Sequence, residues 1–209
     1  MRLGIFGGTF NPIHFGHLRA AEEVREIVGL DEVLFVPSYI PPHKELAGRT
    51  TAAQRLETVG LAISTNPRFR LSSFEVEQGG NSYSIRTIEH VRADYGLTPY
   101  FILGRDAFNE ISTWYESRRL FDLAHFVVMS RPNAPMPELA DVLGDAAHGF
   151  EMHEGGWMNA RGNRIIPVEV TGLDISSSLI RDLCSRGKSI RYLVPREVEE
   201  YIIKERMYA

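Results

Sequence analysis

Two histidines three residues apart stand in Gly7-Gly-Thr-Phe-Asn-Pro-Ile-His14-Phe-Gly-His17, behind the apolar run Arg2 to Phe6. One helical turn places His14 and His17 on one face, at the end of a helix where backbone N–H groups point outward. Gly7 and Gly8 let the backbone approach a ligand closely, and such a helix start favours phosphate. The stretch lacks the Gly-Lys-Ser/Thr ending of a Walker loop and contains no Gly-x-Gly-x-x-Gly. A zinc site built from His14, His17 and His43 is conceivable, but no thiol or carboxylate is placed with them.

Further candidates lie downstream. Pro41-Pro42 stiffens a loop carrying His43 and Lys44, two donors suited to polyphosphate. Asp106 follows Gly104 at the end of an apolar strand, where it could bind a ribose hydroxyl or cap the next helix. Trp114 sits in the polar run Ser112-Thr-Trp-Tyr115 and could stack on a flat ring or simply pack. Ser176, Ser177 and Ser178 open a helix, so their hydroxyls and amides can cap it or hold an anion, with Arg181 one turn on along the same face.

These residues need elements to position them. Apolar runs at Arg2–Phe6, Glu32–Pro37, Phe69–Phe74, Tyr100–Leu103, His125–Met129 and Ile165–Val170 are expected strands. Helical periodicity marks Phe15–Val28, Tyr83–Tyr95, Ser177–Arg186 and Pro195–Glu205. Another helix follows the capping-box sequence Thr51-Ala-Ala-Gln54, with Leu56, Val59 and Ile63 on one face. The βαβα alternation, with continuous apolar runs for strands, predicts an α/β fold: a Rossmann-like doubly wound parallel sheet with C-terminal helices. Between about Asn133 and Arg164 the periodicity weakens; this reads as a variable excursion with a short helix inside a single domain spanning 1–209.

The chain has 209 residues, 44% of them hydrophobic and 24% charged, enough apolar material for a real core. A net charge of −4 argues against gripping long nucleic-acid backbones. The single cysteine, Cys184, excludes an intramolecular disulfide and reads as a buried small hydrophobe. No apolar run is long enough to cross a bilayer, and a cytoplasmic location is expected.

The Gly7–His17 stretch resembles the His-x-Gly-His signature of the adenylyl- and cytidylyltransferase superfamily, shared distantly with class I aminoacyl-tRNA synthetases. Its wording, Gly-Gly-Thr-Phe-Asn-Pro-Ile-His, is similar to that of the bacterial nicotinate mononucleotide adenylyltransferases. Further segments match that family in order: Pro41-Pro-His-Lys44, Asn81-Ser-Tyr-Ser84, Leu103-Gly-Arg-Asp106, Thr113-Trp-Tyr115, Ser130-Arg-Pro132, Ile175-Ser-Ser-Ser-Leu-Ile-Arg181 and Ser189-Ile-Arg-Tyr-Leu-Val-Pro195. Ser84 and Ser178 stand where threonine is usual, and both keep the hydroxyl. Only about 133–164 falls outside the resemblance.

The resemblance implies a nucleotidyltransferase fold and adenylyl transfer from ATP, with Mg²⁺, to nicotinate mononucleotide, giving deamido-NAD and pyrophosphate without a general base. It implies that His17 meets the α-phosphate and His14 orients the phosphates, while Lys44, Ser177 and Arg181 hold the β- and γ-phosphates. Gly7, Gly8, Thr9, Phe10, Gly104, Ser176 and Ser178 join the ATP and phosphate site, and Asp106 takes a ribose. Tyr83, Ser84, Trp114, Tyr115 and His43 fall to the pyridine nucleotide. No protein-held metal, nucleic acid or membrane partner is implied. Alternative readings are transfer to nicotinamide mononucleotide or phosphopantetheine, or a non-catalytic nucleotide-binding regulator.

Overall fold

The computed structural model describes residues 1–42, 50–132 and 136–208. In chain order the elements are β1 (Leu3–Gly8), α1 (Phe15–Val28), β2 (Glu32–Pro37), α2 (Ala52–Ile63), β3 (Phe69–Leu71), α3 (Phe74–Gln78), α4 (Ser84–Tyr95), β4 (Tyr100–Gly104), α5 (Arg105–Asn109), α6 (Ser117–Leu123) and β5 (His125–Ser130). They continue with α7 (Leu139–Leu143), β6 (Phe150–His153), β7 (Gly156–Asn159), β8 (Arg164–Glu169), α8 (Ser177–Ser185) and α9 (Arg196–Lys204). Short 3₁₀ turns cover Ile111–Thr113 and Gly144–Gly149. No helix among the described residues is long and apolar enough to cross a membrane.

The strands form one sheet in the order β3-β2-β1-β4-β5-β8-β7-β6. From β3 to β8 every pairing is parallel; β7 and β6 add an antiparallel hairpin at the far edge. Alternation along each strand feeds two cores. Phe6, Phe35, Ile102 and Val127 face α1, α2, α8 and α9, while Ile5, Leu34, Phe101 and Val128 face α4, α5 and α6. The chain winds outward from β1 to β3, then crosses back to β4 on the other side of β1. That reversal opens a crevice beyond the carboxyl ends of β1 and β4, where such sheets bind ligands.

The sequence expectations for α1 and β2 match these bounds, and the Thr51 capping box forms. Gln54 N donates to Thr51 Oγ1 at 3.2 Å, and Thr51 N donates to Gln54 Oε1 at 3.0 Å. Three expectations are corrected. The strand at Phe69 stops after Leu71, because Ser72 and Ser73 turn the chain; Phe74 N donates to Ser72 Oγ, and Phe74–Gln78 becomes helical. The buried face of α2 is broader than expected: Val59 and Ile63 are buried as read and Leu56 only half so, while Arg55, Thr58 and Ala62 are buried with them. The excursion holds more than a short helix, since β6 and β7 pair with each other and β7 pairs with β8. The turn between β6 and β7 has positive φ at Glu154 and Gly155, 44° and 76°, as a tight hairpin requires.

Candidate active site

The β1–α1 loop is shaped by glycines and one strained residue. A Cβ on Gly8 would lie 3.0 Å from the Phe10 ring, so a side chain there would force that ring to shift from beneath the loop. Phe10 is buried, with its φ of 46° in the left-handed region that non-glycine residues avoid. Its ring packs edge-on against Phe6 and His17, so whatever Phe10 offers a ligand comes from its backbone. His14 caps α1, and the His14 amide donates to His17 Nδ1 at 3.3 Å. A neutral imidazole that accepts at Nδ1 carries its proton at Nε2, as donation to a phosphate oxygen requires. The two imidazoles lie 3.7 Å apart at 30°, and a Cβ on Gly16 would meet the His14 ring at 3.0 Å. Any larger residue at Gly16 would press on the His14 ring and require it to shift.

The start of α8 docks against this loop. Ser177 Oγ donates to Pro12 O at 2.9 Å, and Arg181 donates to Asn11 O at 2.7 Å and to Ser178 Oγ at 3.0 Å. These bonds use two of the five N–H donors of a guanidinium. Ser176 caps α8, accepting from Leu179 N at 3.1 Å. Neither α1 nor α8 has an acidic residue in its first turn, so nothing there offsets the positive end of either helix. Two helix starts thus converge on Asn11 and Pro12.

Arg55, which sequence reasoning passed over, is fully buried on α2. It donates to Thr9 O at 2.8 Å, Ser38 O at 2.6 Å and Tyr39 O at 2.9 Å, joining the loop after β1 to the loop after β2. Burial lowers its pKa, yet an arginine retains its charge at any ordinary pH.

Beside the loop lies a cavity of about 320 Å³ over the β1–β4 crevice, lined by Gly7, Gly8 and Thr9 on one side and by Gly104 and Asp106 on the other. Tyr83, Ser84, Trp114 and Tyr115 complete its wall, so four of the five residues that the resemblance assigns to the pyridine nucleotide share one cavity with the glycines. Trp114 stands edge-on to Phe101 at 6.2 Å, and Tyr83 leans on Tyr115 at 4.6 Å. Ser82, within the Asn81–Ser84 segment, also lines the cavity, as do Glu75 and Ser38, which were not singled out in the sequence. Glu75 accepts from Thr87 Oγ1, and burial raises its carboxyl pKa. His43 and Lys44 lie outside the described residues. Among the described residues no group of three or more His, Cys, Asp or Glu could hold a metal ion. Cys184, expected to be buried, is half-buried, and its partial burial raises the thiol pKa, in keeping with an unreactive side chain.

Burial pushes His14 down to about 4, and burial with the Arg164 and Arg2 charges does the same to His125. Both are neutral in the folded protein at pH 7. Between pH 6.5 and 4 the unfolded chain therefore binds more protons, so these groups contribute stability above pH 6.5 that is lost as pH falls towards 4. The denaturation midpoint should drop on acidification across that window. A His125→Asn variant, which keeps an acceptor for Arg164 N, should show a shallower drop. Parallel curves for the two proteins would remove His125 from the account.

Comparison with known proteins adds to this geometry. The cytidylyltransferase-like family matches residues 5–183. A protein of Geobacter sp. (strain M21) named "Probable nicotinate-nucleotide adenylyltransferase" is 44% identical over 100% of this chain and 98% of its own length. One of the same name from Geotalea daltonii is 46% identical with the same coverage. Among solved structures, the Plasmodium falciparum nicotinic acid mononucleotide adenylyltransferase complexed with NaAD superposes with a TM-score of 0.73 at 18% identity. That match covers 99% of this chain and 97% of that one. The fold is thus the nucleotidyltransferase fold, and the chain belongs to the cytidylyltransferase-like family, among its nicotinate-nucleotide adenylyltransferases.

Proposed function

We propose that this chain, acting as one catalytic domain in the cytoplasm, transfers the adenylyl group of ATP to nicotinate mononucleotide, a step of NAD biosynthesis. The observation that carries the reading is that Gly7, Gly8 and Thr9 line the same cavity as Trp114 and Tyr115, while the start of α8 docks on the continuation of that loop at Asn11 and Pro12. Full-length identity with relatives named for this activity supports the same conclusion.

In the reaction a 5′-phosphate oxygen of nicotinate mononucleotide forms a bond to the α-phosphorus of ATP. The bond from that phosphorus to the bridging oxygen breaks, and pyrophosphate leaves with the electron pair. A phosphate monoester has its second pKa near 6, so the nucleophile is already largely a dianion at neutral pH and needs no base. Catalysis then consists of positioning and charge stabilisation. His17 donates from Nε2 to the α-phosphate. His14, neutral and stacked on it, orients the phosphates. Ser177 and Arg181, together with Lys44, hold the β- and γ-phosphates. Asp106 accepts from a ribose hydroxyl, while Trp114, Tyr115, Tyr83 and Ser84 hold the pyridine nucleotide. The donors gathered around the loop are N–H and O–H groups, which suit phosphate oxygens better than a cation. ATP therefore enters as its Mg²⁺ complex, the ion carried on the phosphates.

ATP labelled in the α-phosphate, incubated with Mg²⁺ and nicotinate mononucleotide, tests the reaction type. The label should appear in the dinucleotide while unlabelled pyrophosphate accumulates. Label recovered only as AMP or unchanged ATP would overturn the proposal.

A further inference from the structure

The segment after α9 is tucked into the body of the protein: Met207 and Tyr208 are 6% and 8% exposed. Met207 N donates to Ile202 O at 3.2 Å, folding the chain back against its own helix. The Tyr208 hydroxyl then donates to Asn11 Oδ1 at 2.8 Å, across 197 positions of sequence, and both residues are buried. Burial holds the phenol well above its ordinary pKa, so it keeps the proton that it donates.

Asn11 is a junction. Its carbonyl accepts from Arg181, the next carbonyl accepts from Ser177, and Thr9 O accepts from Arg55 two residues earlier. Between these anchors lies Phe10, at a φ that a non-glycine residue holds only where its neighbours over-determine it. Arg55 fixes the loop before Phe10; Arg181, Ser177 and Tyr208 fix it after. Arg181 and Ser177 bond to backbone carbonyls, whereas the Tyr208 bond runs to the Asn11 side chain at Oδ1.

We infer that Tyr208 is a positioning residue for the nucleotide loop: by holding the Asn11 side chain it keeps Gly7–Pro12 in the form that receives ATP. Without the hydroxyl, Asn11 Oδ1 loses a buried donor. The anchorage after Phe10 weakens, and its backbone can relax. The loop amides then shift relative to the α1 helix start. Tyr208 is not among the residues lining the cavity, and Tyr83, Ser84, Trp114 and Tyr115, which complete its wall, come from elements other than the loop. The cost should therefore fall on ATP and not on the acceptor.

This rests on the proposed ATP site, and binding of α,β-methylene-ATP with Mg²⁺, followed by titration calorimetry, separates the two ideas. Tyr208→Phe should weaken binding about tenfold, while the KM for nicotinate mononucleotide stays within twofold. Ile202→Val, which trims the same helical layer with no polar link to the loop, should lower the melting temperature yet leave nucleotide affinity unchanged. In an Asn11→Ala background, Tyr208→Phe should add nothing further. Affinity within twofold of wild type for Tyr208→Phe, or an equal loss in Ile202→Val, would overturn the inference. A wild-type protein that does not bind the analogue would overturn the proposed function, and this inference with it.

Discussion

Replacing His17 with alanine should lower kcat by about 10²–10³-fold in a protein that remains folded, the size of losing one preorganised donor to a developing charge. The geometry explains why the effect is concentrated there. The His17 ring is fixed from three sides: the His14 amide donates to its Nδ1, His14 stacks on it at 3.7 Å, and Phe10 meets it edge-on at 5.2 Å. A donor held this way gives up little entropy at the transition state. Since the α-phosphate bears the new charge, the loss should appear in kcat more than in the KM for either substrate. Single-turnover rates of the purified variant check it; near-normal turnover would remove His17 from the chemistry.

Replacing Arg55 with methionine should be the most destabilising single change, even though Arg55 touches no substrate. Methionine keeps the apolar stem but leaves the buried carbonyl of Ser38 and the half-buried carbonyls of Thr9 and Tyr39 without the donor that holds them. With about 1–3 kcal/mol for an orphaned buried group and less for a half-buried one, the loss should be about 3 kcal/mol. For a chain of this size that corresponds to roughly 10 °C in melting temperature. Arg55→Lys should recover little, because an ammonium cannot span three carbonyls with the geometry of a guanidinium. MgATP affinity should fall along with stability, since Thr9 belongs to the nucleotide loop. A melting temperature within about 2 °C of wild type would show that the loops are held by something else.

These two residues mark what was and was not legible beforehand. His17 could be read from sequence because its meaning lies in local spacing: a glycine pair, a helix start, and a second histidine one turn away. α1 and β2 were likewise legible, as each writes its own period and ends in its own turn. Arg55 was not. At a helix position beside Leu56 it looks like an ordinary solvated charge, and its three partners are backbone groups on two separate loops. Glu75 was missed because a strand was expected through Phe74, and the two serines before it turned the chain into a helix that swings its carboxyl into the cavity. Tyr208 meets Asn11 across 197 positions of sequence, a contact no local spacing announces. The β6–β7 hairpin hid for a different reason. Its turn places Glu154 at positive φ, where Asn or Asp would have announced it, and only Gly155-Gly156 remained as a signal. A Cβ on Gly156 would lie 2.3 Å from Ile165 O, so that glycine is demanded by a strand remote from the turn.

The distribution has a physical logic. Residues that meet a ligand are grouped by short-range spacing, because helix starts and strand ends present neighbours together. Residues that hold those groups in place are recruited from across the fold, and their types alone do not declare them. The nucleotide loop shows both at once. Gly7, Gly8, His14 and His17 lie within one turn of chain and helix. Their supports come from α2, α8 and the end of the chain.

The measurement that tests the central claim most directly is kcat/KM for pyrophosphate release with MgATP and three acceptors in parallel: nicotinate mononucleotide, nicotinamide mononucleotide and phosphopantetheine. The account predicts strong turnover with the acid nucleotide, at least tenfold weaker turnover with the amide, and none with phosphopantetheine. Preference for the amide or for phosphopantetheine would contradict the assigned acceptor, and no pyrophosphate with any of the three would contradict adenylyl transfer itself.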